Sequence, residues 1–198
     1  MNRRKIICFF MVAAVLLSVT LPGRVEAASK KAVTRAYNQK IKNLKKSKKY
    51  KDGIYTATMK SATGNELLLV TDGGFGKEKF AISADVYQYV GGKVKKLCKV
   101  VSTGTAYPLC KKGKYILSGF HHNSFRYQVK NGVVIMEEYD GIYLDSKYCY
   151  YKKYCIKDGK KKLVKKKKVK TTIAEKNDFY CNAGGDCKGE PIKFMKQK

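Results

Sequence analysis

The chain is short of the side chains that most enzymes use. His121 and His122 are its only histidines, so every imidazole acid–base or nucleophile scheme must run through them. They are neighbours in Gly119-Phe120-His121-His122-Asn123, and successive residues of a strand point to opposite faces. The two rings therefore do not converge on one substrate or metal, and the pair reads as polar residues at a hairpin entrance. Acidic residues are equally scarce, 15 in 198. Glu66, Asp72, Asp85, Glu137, Glu138, Asp140 and Asp145 are spread along the β-rich part, and no spacing singles out the facing pair, about 5–9 Å apart, of a glycosidase. The loop Asp72-Gly73-Gly74-Phe75-Gly76 lacks both the alternating oxygen ligands of a calcium loop and the Lys-Ser/Thr ending of a phosphate loop. No CxxC pair supports a zinc site, and no cofactor motif is present.

Long apolar runs are missing too, except at the start. Arg3, Arg4 and Lys5 precede an almost wholly apolar stretch, Ile6–Val19, which Leu21, Pro22 and Gly23 interrupt. Val25 and Ala27 suit the −3 and −1 positions of a cut after Ala27. This three-part pattern predicts a cleaved secretory signal peptide over 1–27. The apolar stretch is too short for the roughly 20 residues of a membrane span, and Cys8 lies at the wrong end of it for lipidation. The mature chain is expected to be soluble.

What is abundant is lysine. The 43 Lys and Arg give the whole chain a formal charge of +28. Cleavage after Ala27 leaves 39 basic and 14 acidic residues, a net +25 over 171 residues, long enough for one compact domain. Fifteen Tyr and eight Phe supply material for a packed core. A charge this far above the needs of solubility points to densely anionic partners. For an exported protein these are teichoic acids, acidic glycans, phospholipid headgroups and extracellular nucleic acid. The strongest run is Lys160–Lys170, where Lys160, Lys161, Lys162, Lys165, Lys166, Lys167, Lys168 and Lys170 are candidate anion-binding residues; Lys40–Lys51 is the second. Lysine acts as a point charge with little sequence selectivity. Tyr143, Tyr148, Tyr150, Tyr151 and Tyr154 are interleaved nearby and suit either stacking or ordinary strand packing, and packing is the preferred expectation. The lysine run also suits an edge strand guarded against aggregation.

Six cysteines follow the expected cleavage point, and an even number in an exported chain favours disulfides. Cys98 and Cys110 are equidistant from Gly104 and would face each other if Ser102–Ala106 closed a hairpin. Cys181 and Cys187 flank the flexible run 182–186 and are expected to pair as a disulfide that closes it locally. Cys149 and Cys155 would stand about 20 Å apart on one strand, too far to bond to each other.

Ser29–Lys49 carries Val33, Tyr37, Ile41 and Leu44 at helical spacing, and Tyr50-Lys51-Asp52-Gly53 ends the element. From Gly53 the pattern is that of strands. Glu66–Thr71 reads as a buried strand. Gly91-Gly92, Asn131-Gly132 and Asp158-Gly159 separate β-rich runs and supply the positive φ of two-residue hairpin turns. Thr171–Ile173 and Pro191–Met195 read as short strands, and Pro108 and Pro191 as edge or loop positions. Val86, Gln88 and Val90 share one face of their strand, and Phe125, Tyr127 and Val129 one face of theirs. The expected fold is α+β or mainly β: an N-terminal helix and turn (28–52) whose apolar face packs on an antiparallel meander of hairpins (53–198).

The series Glu66-Leu67-Leu68-Leu69-Val70, Val86-Tyr87-Gln88-Tyr89 and Gly92-Lys93-Val94 resembles a group of small exported proteins of Gram-positive bacteria. There "EL-apolar-V", "VYxY" and "GKV" recur in this order after an N-terminal helix, and the similarity covers roughly 32–145. It implies an extracellular or envelope location and carries no chemistry, since the group has no established activity. The expected function is that of a secreted, basic, non-enzymatic protein binding anionic envelope or extracellular polymers. The alternatives are a secreted hydrolase and a protein-interaction or inhibitor module.

Overall fold

A computed structural model describes residues 29–102, 108–142, 144, 146–181 and 187–198. The signal peptide expected over 1–27 lies outside the described residues. The fold is mainly β: two antiparallel sheets with a shared core, and few helices.

Helix α1 (Lys30–Lys45) begins where Ser29 accepts a hydrogen bond on Oγ from the Ala32 N–H, which satisfies one of the free amides at the helix start. It ends four residues before the boundary read from the sequence. Ser47 takes over as the cap of a separate 3-10 turn, Lys48–Tyr50, with its hydroxyl accepting from the Lys49 amide. Tyr37 and Ile41 of α1, with Tyr50 and Ile54, pack on Leu68, Val70 and Tyr87. The Tyr37 hydroxyl donates to the Glu66 carbonyl and accepts from the Tyr89 amide, and burial pushes its pKa up to about 12.

The first sheet contains β1 (Tyr55–Lys60), β2 (Glu66–Thr71), β3 (Ser83–Val90) and β4 (Lys93–Val101), with β12 (Met195–Lys196) beyond β1. Strands β2 and β3 are covered on both faces, which is why Glu66–Thr71 is apolar without alternation. One face meets α1; the other meets the second sheet.

That second sheet runs β10 (Lys160–Lys170), β9 (Tyr148–Lys157), β8 (Val133–Asp140), β7 (Asn123–Lys130), β6 (Tyr115–Phe120), β5 (Cys110–Lys112) and β11 (Glu190–Pro191). Leu67, Leu69, Val86 and Val100 of one sheet meet Ile116, Tyr127, Val129, Val134 and Met136 of the other. Phe125, Tyr127 and Val129 thus pack against a sheet, not against the helix expected from the sequence. Buried Gln88 helps to lock the layers, its Oε1 accepting from the Gly132 amide at 2.7 Å.

The three hairpin turns all have positive φ at both central positions: Gly91 and Gly92, Asn131 and Gly132, Asp158 and Gly159. This is the primed geometry that matches strand twist. Other expectations are corrected. Strand β4 is not joined to β5 by a hairpin: the chain crosses from one sheet to the other, and on either side of 103–107 Ser102 and Leu109 donate to the carbonyls of Ile82 and Ala81. Thr171–Ile173 is not a strand but the start of a short helix, α2 (Thr171–Lys176), with Thr171 and Ala174 buried against the β9 side. Pro191–Met195 is not one strand. Glu190 and Pro191 pair with β5 in the second sheet, and Met195 and Lys196 pair with β1 in the first. The C-terminal segment therefore stitches both layers, and Gln197 extends the seam by donating its amide to the Ile54 carbonyl.

Candidate anion-binding surface

Strands β9 and β10 form a long ribbon at one edge of the second sheet. Their type I′-like Asp158-Gly159 turn and the pairing from Lys157↔Lys160 to Tyr148↔Lys170 set the register, with one irregularity between Leu163 and Lys165 that leaves Val164 unpaired as a bulge. Among the described residues, strand β10 has only one neighbouring strand. Ten of its eleven residues are exposed, and Val169 at its C-terminal end packs beside Ala174 of α2.

Partners directly opposite in a ladder share a face. Ile156 and Tyr154 of β9 join the core between the sheets, whereas Cys149 packs on the far side against Ile142 and Ala174. The core-side face of β10 therefore carries Lys161, Lys166, Lys168 and Lys170, and the far face Lys160, Lys162, Lys165 and Lys167. Lysines two apart on one face recur about every 7 Å, twice the strand rise. Each face thus presents a row of four ammonium groups.

Among the described residues, none of these eight lysines forms an ion pair with a carboxylate. Several lie over tyrosine rings of the neighbouring strand instead. Lys161 Nζ sits 3.9 Å from the Tyr154 ring centroid, Lys166 4.3 Å from Tyr150, and Lys168 4.3 Å from Tyr148. On the far face Lys167 lies 5.3 Å from Tyr151. Such interactions hold the ammonium groups loosely, at about 0.5–1 kcal/mol each when exposed, and leave their charge unneutralised.

The tyrosines divide in a way that the sequence did not disclose. Tyr148 and Tyr150 are 37 % and 41 % exposed. Tyr154 is half-buried against the core. Tyr151 is built into packing: its hydroxyl donates to Glu137, its ring meets Tyr139 edge-on, and burial raises its pKa. Glu137 is also held by Arg126, whose Nε and Nη2 lie 2.9 and 2.6 Å from its Oε2. Burial alone would raise the Glu137 pKa, but the Tyr151 and Arg126 hydrogen bonds outweigh it and keep the carboxyl below its usual range. Tyr143 lies outside the described residues. The sequence signal for the exposed pair was Tyr148-x-Tyr150 opposite a lysine-rich strand; local propensity could not say that the first sheet stops short of them.

The second lysine run is different. Lys49 reaches the buried Asp85 at 2.9 Å, and Lys96 of β4 reaches the other oxygen at the same distance. Burial pushes the Asp85 carboxyl up, yet the hydrogen bonds and charges of Lys96 and Lys49 prevail and lower its pKa. Lys49 is held protonated in turn, by its hydrogen bonds and charge interactions with Asp85 and Tyr50 against the opposing effect of burial. Lys45 donates to the carbonyl of Lys198. Part of this run serves the structure.

The remaining candidates are placed as follows. His121 and His122 form the two-residue turn between β6 and β7, both exposed, with His121 at φ 46°. Asp72–Gly76 is a loop that leads into a turn closed by reciprocal backbone bonds between Phe75 and Phe80. Glu138 is buried and accepts from Asn123, and Asp140 pairs with Lys152 beside the ribbon. Cys98 and Cys110, expected to bond, stand in different sheets. Cys98 faces the core, where burial raises its pKa to about 12. Cys110 instead lies within disulfide-bonding distance of Cys187, 77 residues on. Cys181 and Cys187, expected to bond to each other, face each other in an isolated antiparallel backbone bridge, but the sulfur of Cys187 is directed to Cys110. Cys149 and Cys155 share β9 and one of its faces, which keeps them apart.

Comparison of the chain with protein-family models, curated proteins and solved structures finds no match in any of the three.

Proposed function

We propose that this is an exported, non-enzymatic binding module for anionic polymers of the cell envelope or its surroundings, and that the β9–β10 ribbon is its binding surface. The observation that carries the reading is the contrast in neutralisation: eight lysines on one exposed strand without a carboxylate partner among the described residues. Holding them side by side costs self-repulsion, which a polyanion would relieve by displacing its own counterions. The signal-peptide pattern of residues 1–27 and the resemblance to small exported Gram-positive proteins support the location.

The test is retention on an immobilised inorganic polyphosphate as salt is raised. The logarithm of the affinity should fall linearly with the logarithm of salt concentration. Replacing Lys165, Lys166, Lys167 and Lys168 by Gln should flatten that line by about 0.7–0.9 for each phosphate that the variant no longer neutralises. Retention that ignores salt, or none at low salt, overturns the proposal.

A further inference from the structure

The two faces of the ribbon carry equal charge but unequal chemistry, and this bears on which polymer it takes. Resting on the polyanion reading above, we infer that the core-side face of β9–β10 binds single-stranded nucleic acid, with Tyr148 and Tyr150 as base-stacking platforms and Lys166, Lys168 and Lys170 as phosphate-binding groups.

Three observations lead there. First, the face is open where it matters. Ile156 is covered by the opposite sheet and Tyr154 is half-buried against it, but Tyr148 and Tyr150 on the same face are exposed. Second, lysine and tyrosine are interleaved: Tyr150 stands opposite Lys168, Tyr148 opposite Lys170, and Lys166 and Lys168 sit diagonally over the two rings. An aromatic surface flanked by cations is the usual provision for bases and the backbone that links them. Third, the spacing selects the form of the nucleic acid. Tyr148 and Tyr150 are two strand residues apart, about 7 Å. Bases in a duplex rise only about 3.4 Å and hide their faces in the stack. Only a strand with its bases splayed can lay one on each ring. The far face offers no such platform, because Tyr151 is occupied by Glu137 and Tyr139. Asp140 and Glu138, on β8 beside Lys152, bound the surface on the side of the sheet and leave the β10 side open to the chain.

Lysine without arginine in β10 argues against bidentate reading of base edges, so binding should be tolerant of sequence.

The experiment measures affinity of the purified protein for three probes at fixed salt: a short oligothymidylate, a duplex of the same length, and inorganic polyphosphate. A Tyr148→Leu, Tyr150→Leu double variant is compared with the unaltered chain. Both rings are solvent-exposed, so folding should survive, and retained polyphosphate binding reports that it has. The expected result is a loss of about 30- to 100-fold for the oligothymidylate, roughly tenfold or less per ring. Affinity for duplex and polyphosphate should change less than about twofold. If the double variant loses nothing on the single strand, or loses equally on all three probes, the inference falls while salt-dependent binding keeps the polyanion reading. A loss confined to an acidic polysaccharide tried as a fourth probe also overturns it, in favour of sugar stacking. Absence of binding to every probe sinks both.

Discussion

Two hairpins of this molecule share a turn type and a wealth of lysine, yet they live in opposite environments. In β3–β4, flanked by α1 and by the second sheet, the charges at the covered position are neutralised: buried Asp85 takes both Lys49 and Lys96. In β9–β10 the outer strand is exposed along nearly its whole length, and its lysines have no carboxylate partner among the described residues. The difference teaches that lysine content alone does not distinguish the two hairpins; a buried carboxylate in one of them does. At Lys49 and Lys96 the fold supplies that carboxylate.

This contrast can be broken at several points, and the largest effect on stability should come from the shared core. Leu69→Ala empties a fully buried position between the sheets and should cost about 3 kcal/mol. Denaturant unfolding would measure it, and polyphosphate affinity of the folded protein should stay unchanged. An intermediate effect is expected from Asp85→Asn, which removes charged hydrogen-bond acceptors from two partly exposed lysines, at about 2 kcal/mol near neutral pH. Because the folded Asp85 pKa is depressed, its contribution is complete above the unfolded value near 3.9 and disappears as pH falls through the folded value. The variant should therefore approach the unaltered chain in stability on acidification below about pH 4, as thermal melts across that range would show. Glu137, also depressed, adds a second acid-sensitive group that Asp85→Asn leaves in place. The smallest effect should come from Lys165→Gln with Lys167→Gln, on the far face of β10. Their stability should stay within about 0.5 kcal/mol of the parent. A loss as large as that of Asp85→Asn would mean that the strand's lysines are structural, and the comparison would collapse.

The sequence disclosed the hairpins because each primed turn demands positive φ, and Gly91-Gly92, Asn131-Gly132 and Asp158-Gly159 are the residues that tolerate it. It disclosed β2 because a strand covered on both faces is apolar throughout. It did not disclose the split into two sheets. Ser102–Ala106 has the composition of a turn, and nothing local distinguishes a hairpin from a crossing between layers; the Cys98–Cys110 expectation failed for that reason. The strands β5 and β6 were missed because Gly113 and His121, both at positive φ, make turns without the familiar Asn-Gly or Gly-Gly pair. Thr171–Lys176 misled by its β-branched start, whereas its helix is held by burial of Ala174 beside Cys149. As for the candidate surface, its lysines were plain from composition. Which tyrosines stay exposed depends on where the opposite sheet ends, and that is decided by tertiary packing.

The seam made by the C-terminal segment has a kinetic consequence. Tyr55 and Thr56, in the first strand, are paired with Lys196 and Met195, about 140 residues away along the chain. Closing that pairing requires both ends of the domain to be present at once, and pairings of such long range form late. A chain made from its N-terminus onward would hold β1 with one edge open until Met195 and Lys196 were available to pair. The first sheet would then close last along β12.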